Sequence, residues 1–179
     1  MKHPTKDECF RLLNEYHTPE HVQGHCKAVA ETAYAIGKAL NEKGFNLNLE
    51  LITAAGLLHD IARVEDKHWE VGADMMDKLG YDEESTIIRQ HMTYSPFSDI
   101  NSVSELDLVC LGDRLVKEDE YVGLDDRIDY VIKKAAKNGH EDAKPYILEK
   151  KEDARRFMDE IEGIIGINID ELIKTSERA

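Results

Sequence analysis

Apolar residues recur along most of the chain at spacings of three and four, the period of an α-helix rather than of a strand. Cys9, Leu12 and Leu13 share one side of a first helix over about 5–16. Thr18-Pro19-Glu20 reads as an N-cap followed by proline at the first helical position. The helix it opens carries the stripe Val22, Val29, Ala33, Ile36 and Leu40, runs to about Lys43 and stops at Gly44. A third helix, Leu49 to Ala62, is apolar on nearly every side and is therefore expected at the centre of the fold. A fourth covers about 67–79 and closes at Gly80, a short fifth covers about 83–92, and Tyr94-Ser95-Pro96-Phe97-Ser98 forms a loop. Ser102 or Ser104 starts the next helix, with capping-box spacing from Ser102 to Glu105, and the apolar pattern carries it to about Val116. Asp125 to Asn138 is a further helix, and a charged stretch over about 141–174 is interrupted at Pro145 and near Gly163 to Gly166. With no useful β-alternation, repeat or linker, the pattern predicts one all-α domain over 1–179.

A few polar residues break this pattern. His25 falls on the inner stripe of the second helix, because 22, 25, 29, 33, 36 and 40 step by three or four. His59 and Asp60 end the most apolar helix of the chain. Asp113 shares a helical face with Leu106, Val109, Cys110 and Val116. His68 shares one with Gly72, Met75 and Leu79, and His91 follows Ile87 and Ile88 at helical spacing. A carboxylate buried without a partner costs several kcal/mol, so two inward aspartates and up to four inward histidines call for a common explanation. Imidazole and carboxylate together suit a divalent ion such as Mn, Fe, Co, Ni or Zn. Each residue alone has a plainer reading. A lone histidine can be a hydrogen-bonded core residue, Asp113 can pair with a core arginine, and Asp60 can be helix punctuation, although it opposes the helix dipole there. The joint occurrence is what favours the ion. His3 and His140 read as surface residues, and His17 and His21 as capping or exposed.

Composition narrows the partners. A chain of 179 residues, 41% apolar and 34% charged, suits a helix-rich globule. No apolar run approaches the roughly 20 residues that cross a bilayer, and the N-terminus turns acidic with no apolar signal segment. A cytoplasmic protein without membrane contact is expected. Cys9, Cys26 and Cys110 are odd in number and form no CxxC pair, so they read as buried free thiols. A net charge of −14 repels a nucleic-acid backbone. It leaves room for a small anionic substrate, because an ion and a few cations can invert the field within one pocket.

A histidine on one helix, the doublet in Ala-Ala-Gly-Leu-Leu-His-Asp-Ile-Ala-Arg and the later aspartate in Leu-Gly-Asp-Arg-Leu-Val resemble the HD-domain metal-dependent phosphohydrolase superfamily. The resemblance covers about 18–135 and leaves a helical extension over about 140–179. His68-Trp69-Glu70-Val71-Gly72-Ala73 and Ile87-Ile88-Arg89-Gln90-His91 resemble the added histidine motifs of some subfamilies. The segment 111–127 resembles HD domains found beside nucleotidyltransferase-like domains, and the Gly-Tyr-Pro of cyclic-dinucleotide-cleaving branches is missing from the sequence. The resemblance implies a helical bundle in which His25, His59, Asp60 and Asp113 hold a first divalent ion. It implies that His68 and His91 hold a second, with Asp60 bridging. The ions would be Mn, Fe, Co, Ni, Zn or Mg. It further implies hydrolysis of a nucleotide or other small phosphoester by a metal-activated water, with Asp60 orienting the water and Arg63 meeting phosphate. Arg114 and Lys117 are weaker substrate-binding candidates, and Glu65 or Asp66 could act as a general acid.

Two other classes compete. A non-catalytic HD-like sensor would bind a metal or nucleotide and signal through the charged C-terminal helices. A plain helical interaction module would satisfy its buried histidines without metal. Metal content separates the module from the other two, and turnover separates the enzyme from the sensor.

Overall fold

Among residues 2–178, which the structure, a computed structural model, describes, the chain forms nine α-helices and one short hairpin. The helices are α1 (Lys6–Glu15), α2 (Glu20–Glu42), α3 (Leu49–Leu58), α4 (His68–Leu79), α5 (Asp82–Gln90), α6 (Glu105–Asp113), α7 (Leu124–Lys137), α8 (Lys144–Ile165) and α9 (Ile169–Arg178). The hairpin pairs β1 (Val116–Lys117) with β2 (Glu120–Tyr121). The class is all-α. No described helix is long and apolar enough to cross a membrane.

α2 is the spine. Its 23 residues extend about 34 Å at the helical rise, and it packs against α3, α6, α8, α9 and the hairpin. α3 lies between two apolar clusters. Ile52 and Ala55 face the larger one, with Ile36, Leu108, Leu111 and Phe157. Ala54, Leu57 and Leu58 face the smaller one, with Leu13, Met76 and Ile88. α8 and α9 join the larger cluster through Phe157, Ile161, Ile165, Ile169 and Ile173, so the charged C-terminal stretch is amphipathic and docked.

Several boundaries differ from the sequence expectation. α3 ends at Leu58 rather than Ala62. Beyond it the chain winds through tighter turns, with Ile61 N–H on Leu58 O, Arg63 N–H on Asp60 O and Glu65 N–H on Ala62 O. Ile61 and Ala62 remain buried, so apolar periodicity outlasts the α-helical hydrogen bonding. Thr18 is not the N-cap of α2. Pro19 holds that position, and the Thr18 hydroxyl donates to Ile61 O at 2.7 Å. The capping box of α6 is Ser104 with Asp107, not Ser102 with Glu105. α6 stops at Asp113, and Val116 belongs to the hairpin. His3 is buried rather than exposed. Its Nδ1 lies 2.6 Å from Glu84 Oε1 and its Nε2 lies 3.0 Å from Asn48 Nδ2, tying the N-terminus to α5 and to the N-cap of α3. The three cysteines are free and buried, and burial pushes the Cys9 and Cys110 thiols up to about 12.

Glycines set how closely the helices approach. A Cβ at Gly56 would sit 2.7 Å from Ala30 Cα and 2.9 Å from Ala30 Cβ, so α3 and α2 touch backbone to backbone. A Cβ at Gly112 would sit 3.0 Å from Val29 O, pressing α6 to the same helix. Gly56→Ala is expected to lower stability by about 1–3 kcal/mol through overpacking. Gly163→Ala, where nothing lies within 4 Å, should raise it by about 1 kcal/mol through helix propensity. Urea unfolding of the two variants checks both signs.

Candidate metal centre

The close approaches bring polar groups to the seam between the two clusters. α2 supplies His25, the turn after α3 supplies His59 and Asp60, and α4 opens on His68. α5 ends at His91 and α6 ends on Asp113. All six residues expected from the sequence as ligands converge here.

The two oxygens of Asp60 face different partners. Asp60 Oδ2 lies 3.6 Å from His59 Nε2 and 3.9 Å from His25 Nε2. Asp60 Oδ1 lies 3.2 Å from His68 Nε2 and 3.4 Å from His91 Nε2. Asp113 Oδ1 completes the first side, at 2.9 Å from His25 Nε2 and 3.7 Å from His59 Nε2. Two sets of donor atoms therefore share one carboxylate. Among the described residues, His25, His59 and Asp113 form one compact group, and His59, Asp60 and His91 another.

Backbone carbonyls fix which nitrogen each ring presents. Nδ1 of His59 meets Gly56 O at 2.7 Å, Nδ1 of His91 meets Ile88 O at 2.7 Å, and Nδ1 of His25 meets Glu118 O at 2.7 Å. Each carbonyl can only accept, so Nδ1 of these three rings carries a proton and Nε2 is the nitrogen turned inward. The Nε2 atoms of His59, His68 and His91 are buried with no hydrogen-bond partner. The 3.2 Å approach of His68 to Asp60 is not aligned as a hydrogen bond. Three buried imidazole nitrogens that face carboxylates without a hydrogen bond are not a self-satisfied arrangement, and the nitrogen and oxygen donors fit a divalent cation.

The electrostatics agree. Burial by itself pushes the Asp60 carboxyl up, but His59, His68 and His91 outweigh it and hold the carboxyl well below the usual range. Burial likewise pushes Asp113 up, and His25 and His59 pull it well below. Burial pushes His59 down, yet Asp60 and Asp113 raise it well above an ordinary imidazole. Without an ion, a proton on His59 serves as the countercharge.

Other expected residues lie around this group. Arg63 stands at its edge, half exposed, with Nε 3.9 Å from Asp60 Oδ2. Glu65 and Asp66 are exposed on the following turn. Arg114 is engaged elsewhere, where its guanidinium donates to Tyr94 O and lies over the Phe97 ring at 4.6 Å. It belongs to the packing of the 94–98 loop and is not a free cation for substrate. Lys117 lies over Tyr130.

The hairpin is a contributor that the sequence reading missed. Glu118 sits in its two-residue turn at φ 55, a left-handed position that costs a non-glycine residue about 1–2 kcal/mol. The turn docks where α2 lacks a side chain, since a Cβ at Gly24 would lie 3.2 Å from Asp119 Cβ. That docking delivers the Glu118 carbonyl to His25. Tyr121 in turn donates to Asp170 on α9 at 2.6 Å. Strands of two residues are too short to alternate, so nothing in the pattern announced them.

A family model described as HD domain matches residues 22–149. An uncharacterised protein of Methanocaldococcus jannaschii is 32% identical over 145 residues, covering 72% of this chain and 85% of that protein. A tRNA (cytidine(56)-2'-O)-methyltransferase of Thermoplasma volcanium is 34% identical over 93 residues, covering 50% of this chain and 26% of that protein. No solved structure gives a significant match.

An ion bound here would have to displace the proton of His59. Because that imidazole is raised, affinity is expected to keep strengthening as pH climbs through neutrality, where an ordinary histidine is already neutral. Calorimetry in two buffers of different ionisation enthalpy should record proton release on metal binding at neutral pH. Zero release there would contradict the raised imidazole.

Proposed function

The chain belongs to the HD-domain family, and we propose that it is a metal-dependent phosphohydrolase acting on a nucleotide or another small phosphoester. The observation that carries this reading is the convergence of three buried, unpartnered Nε2 atoms on the two oxygens of Asp60. His25, His59, Asp113 and Asp60 Oδ2 would hold one divalent ion, and Asp60 Oδ1, His68 and His91 a second. Such an ion supplies Lewis acidity and lowers the pKa of water towards neutrality.

The chain's own groups do the rest. Carbonyl contacts at Nδ1 hold the rings in place, so the cluster is organised before substrate arrives. His59, His68 and His91 are buried, whereas His25 and Asp113 are partly exposed. The His25–Asp113 side is therefore where a substrate reaches the cluster. Arg63 stands beside Asp60 with half of its side chain in solvent, placed to pair with a phosphate oxygen. Glu65 and Asp66, on the turn that follows, are the carboxyls within the same segment that could protonate a leaving group. A small substrate is favoured over RNA by the charge of −14. The reaction named for the Thermoplasma relative is not carried over, since the chain covers 26% of that protein.

The test uses chelator-stripped protein resupplied with Mn, Fe, Co, Ni, Zn or Mg and a panel of nucleotides and phosphoesters. Metal-dependent phosphate release is expected, and Asp60→Ala should abolish it. Folded protein that binds metal and releases nothing from any substrate would instead support a sensor. His91→Ala should lower the metal bound per chain by about one ion, read by elemental analysis. An unchanged content would leave a single-ion centre.

A further inference from the structure

Three cations converge on one aromatic ring. Arg127, Tyr130 and Lys134 step by three and four along α7 and so share a face. β1 brings Lys117 to the same place. Lys117 Nζ lies 5.0 Å from the Tyr130 ring centroid, Arg127 Cζ 5.6 Å and Lys134 Nζ 5.9 Å. Each distance is within reach of cation–π attraction. Yet one ring has two faces, and three unit charges gathered round it repel one another. Among the described residues, none of the three has a carboxylate within 4.0 Å, whereas Lys151 and Arg155 nearby both reach Asp125, at 3.0 and 3.6 Å. Arg127 Nε is moreover buried without a hydrogen-bond partner, an unusual state for a guanidinium donor.

This spot occurs in a chain with 37 acidic and 23 basic residues. A carboxylate brought into contact would lessen the repulsion, and among the described residues none lies within 4.0 Å of the three cations. A bound anion lessens it too. The arrangement selects among anions. Two compact ammonium groups and one planar fork suit tetrahedral groups of charge −2 or more; a monocarboxylate would neutralise one cation and leave two.

We propose that Lys117, Arg127 and Lys134, gathered round Tyr130, form an anion-binding site for the phosphate groups of a phosphorylated ligand. Lys117, Arg127 and Tyr130 are partly exposed and Lys134 is exposed, so a ligand can reach them. The site adjoins the metal centre along the chain. Lys117 immediately precedes Glu118, whose carbonyl holds His25. It goes beyond the hydrolase reading, and its occupancy does not require the metal centre to be loaded or active.

Inorganic tripolyphosphate is the probe. It is titrated by calorimetry into full-length, chelator-stripped protein at low salt, where charge pairing is least screened. One equivalent should bind, with affinity falling as salt rises. Arg127→Gln and Lys134→Gln should each weaken binding by about tenfold, the loss of one charged hydrogen bond. Circular dichroism checks their folding, and Lys134 is exposed, so its variant tests the site even if Arg127→Gln unfolds. Asp60→Ala should bind the probe as the native chain does. No binding to the native protein overturns the site. So does affinity lost in Asp60→Ala and kept in Lys134→Gln, which would put the anion at the metal centre.

The same titration separates this inference from the hydrolase reading, because protein that binds tripolyphosphate and never releases phosphate retains the site and loses the activity. The ligand's source is read from kinetics of any turnover found. If the site holds a distal phosphate of the substrate, Lys134→Gln raises KM on multiply phosphorylated substrates and leaves kcat. If it holds a separate ligand, KM stays unchanged while the binding loss remains. Either result supports the site.

Discussion

Burial of Asp60 is the constraint around which the rest of this structure is arranged. A carboxylate taken out of water at the seam of two apolar clusters is tolerable only if cationic or metal partners surround it. Here four imidazoles do so, carried by α2, α4, α5 and the turn after α3. Bringing those elements together requires small residues beside these groups. Gly56 stands three residues before His59 and touches Ala30, and Gly112 precedes Asp113 and touches Val29. Gly72 lies one turn after His68, where a Cβ would sit 3.3 Å from both Ile61 and Ile88. The apolar clusters set the separation of the helices, and the glycines reduce it where the polar groups must meet.

Much of this was legible in the sequence because periodicity reports burial. His25 on the stripe of α2, His59-Asp60 after an all-apolar helix and Asp113 on the inner face of α6 are polar residues at positions the pattern marks as interior; His59 and Asp60 are buried there, and His25 and Asp113 are half-buried. Periodicity does not report hydrogen bonding. Ile61 and Ala62 kept the apolar rhythm past the end of α3, so the helix was read four residues too long. It is equally silent on contacts between distant segments. His3 is buried because Glu84 and Asn48, 81 and 45 residues away, receive it. Arg114 follows Asp113 in sequence, yet its guanidinium is taken by Tyr94 and Phe97. The hairpin escaped notice because its work is done by a backbone carbonyl, which no side-chain pattern encodes.

The net charge of −14 also hides a local reversal. Acidic residues outnumber basic ones along the chain, but three cations gather around Tyr130, and Arg63 stands at the edge of the candidate metal centre. A field that is repulsive overall and attractive at two spots is the one that the proposed small phosphorylated substrate calls for. The hairpin lies close to both spots, with Glu118 on His25, Lys117 on Tyr130, and Tyr121 fastened to Asp170 of α9. The C-terminal helices thereby bear on the geometry of the centre as well as on the core.

The carbonyl contacts at Nδ1 limit what evolution can do with this pocket. Each of His25, His59 and His91 has one ring nitrogen tied to the backbone and the other aimed at the carboxylates. An asparagine amide can reach the place of the first nitrogen and a glutamine amide the place of the second, but neither reaches both. Intermediates on any mutational route away from histidine therefore lose either the anchor or the ligand. These positions are held by two obligations at once, and drift in the lineage should run through the surrounding apolar shell and leave the rings alone.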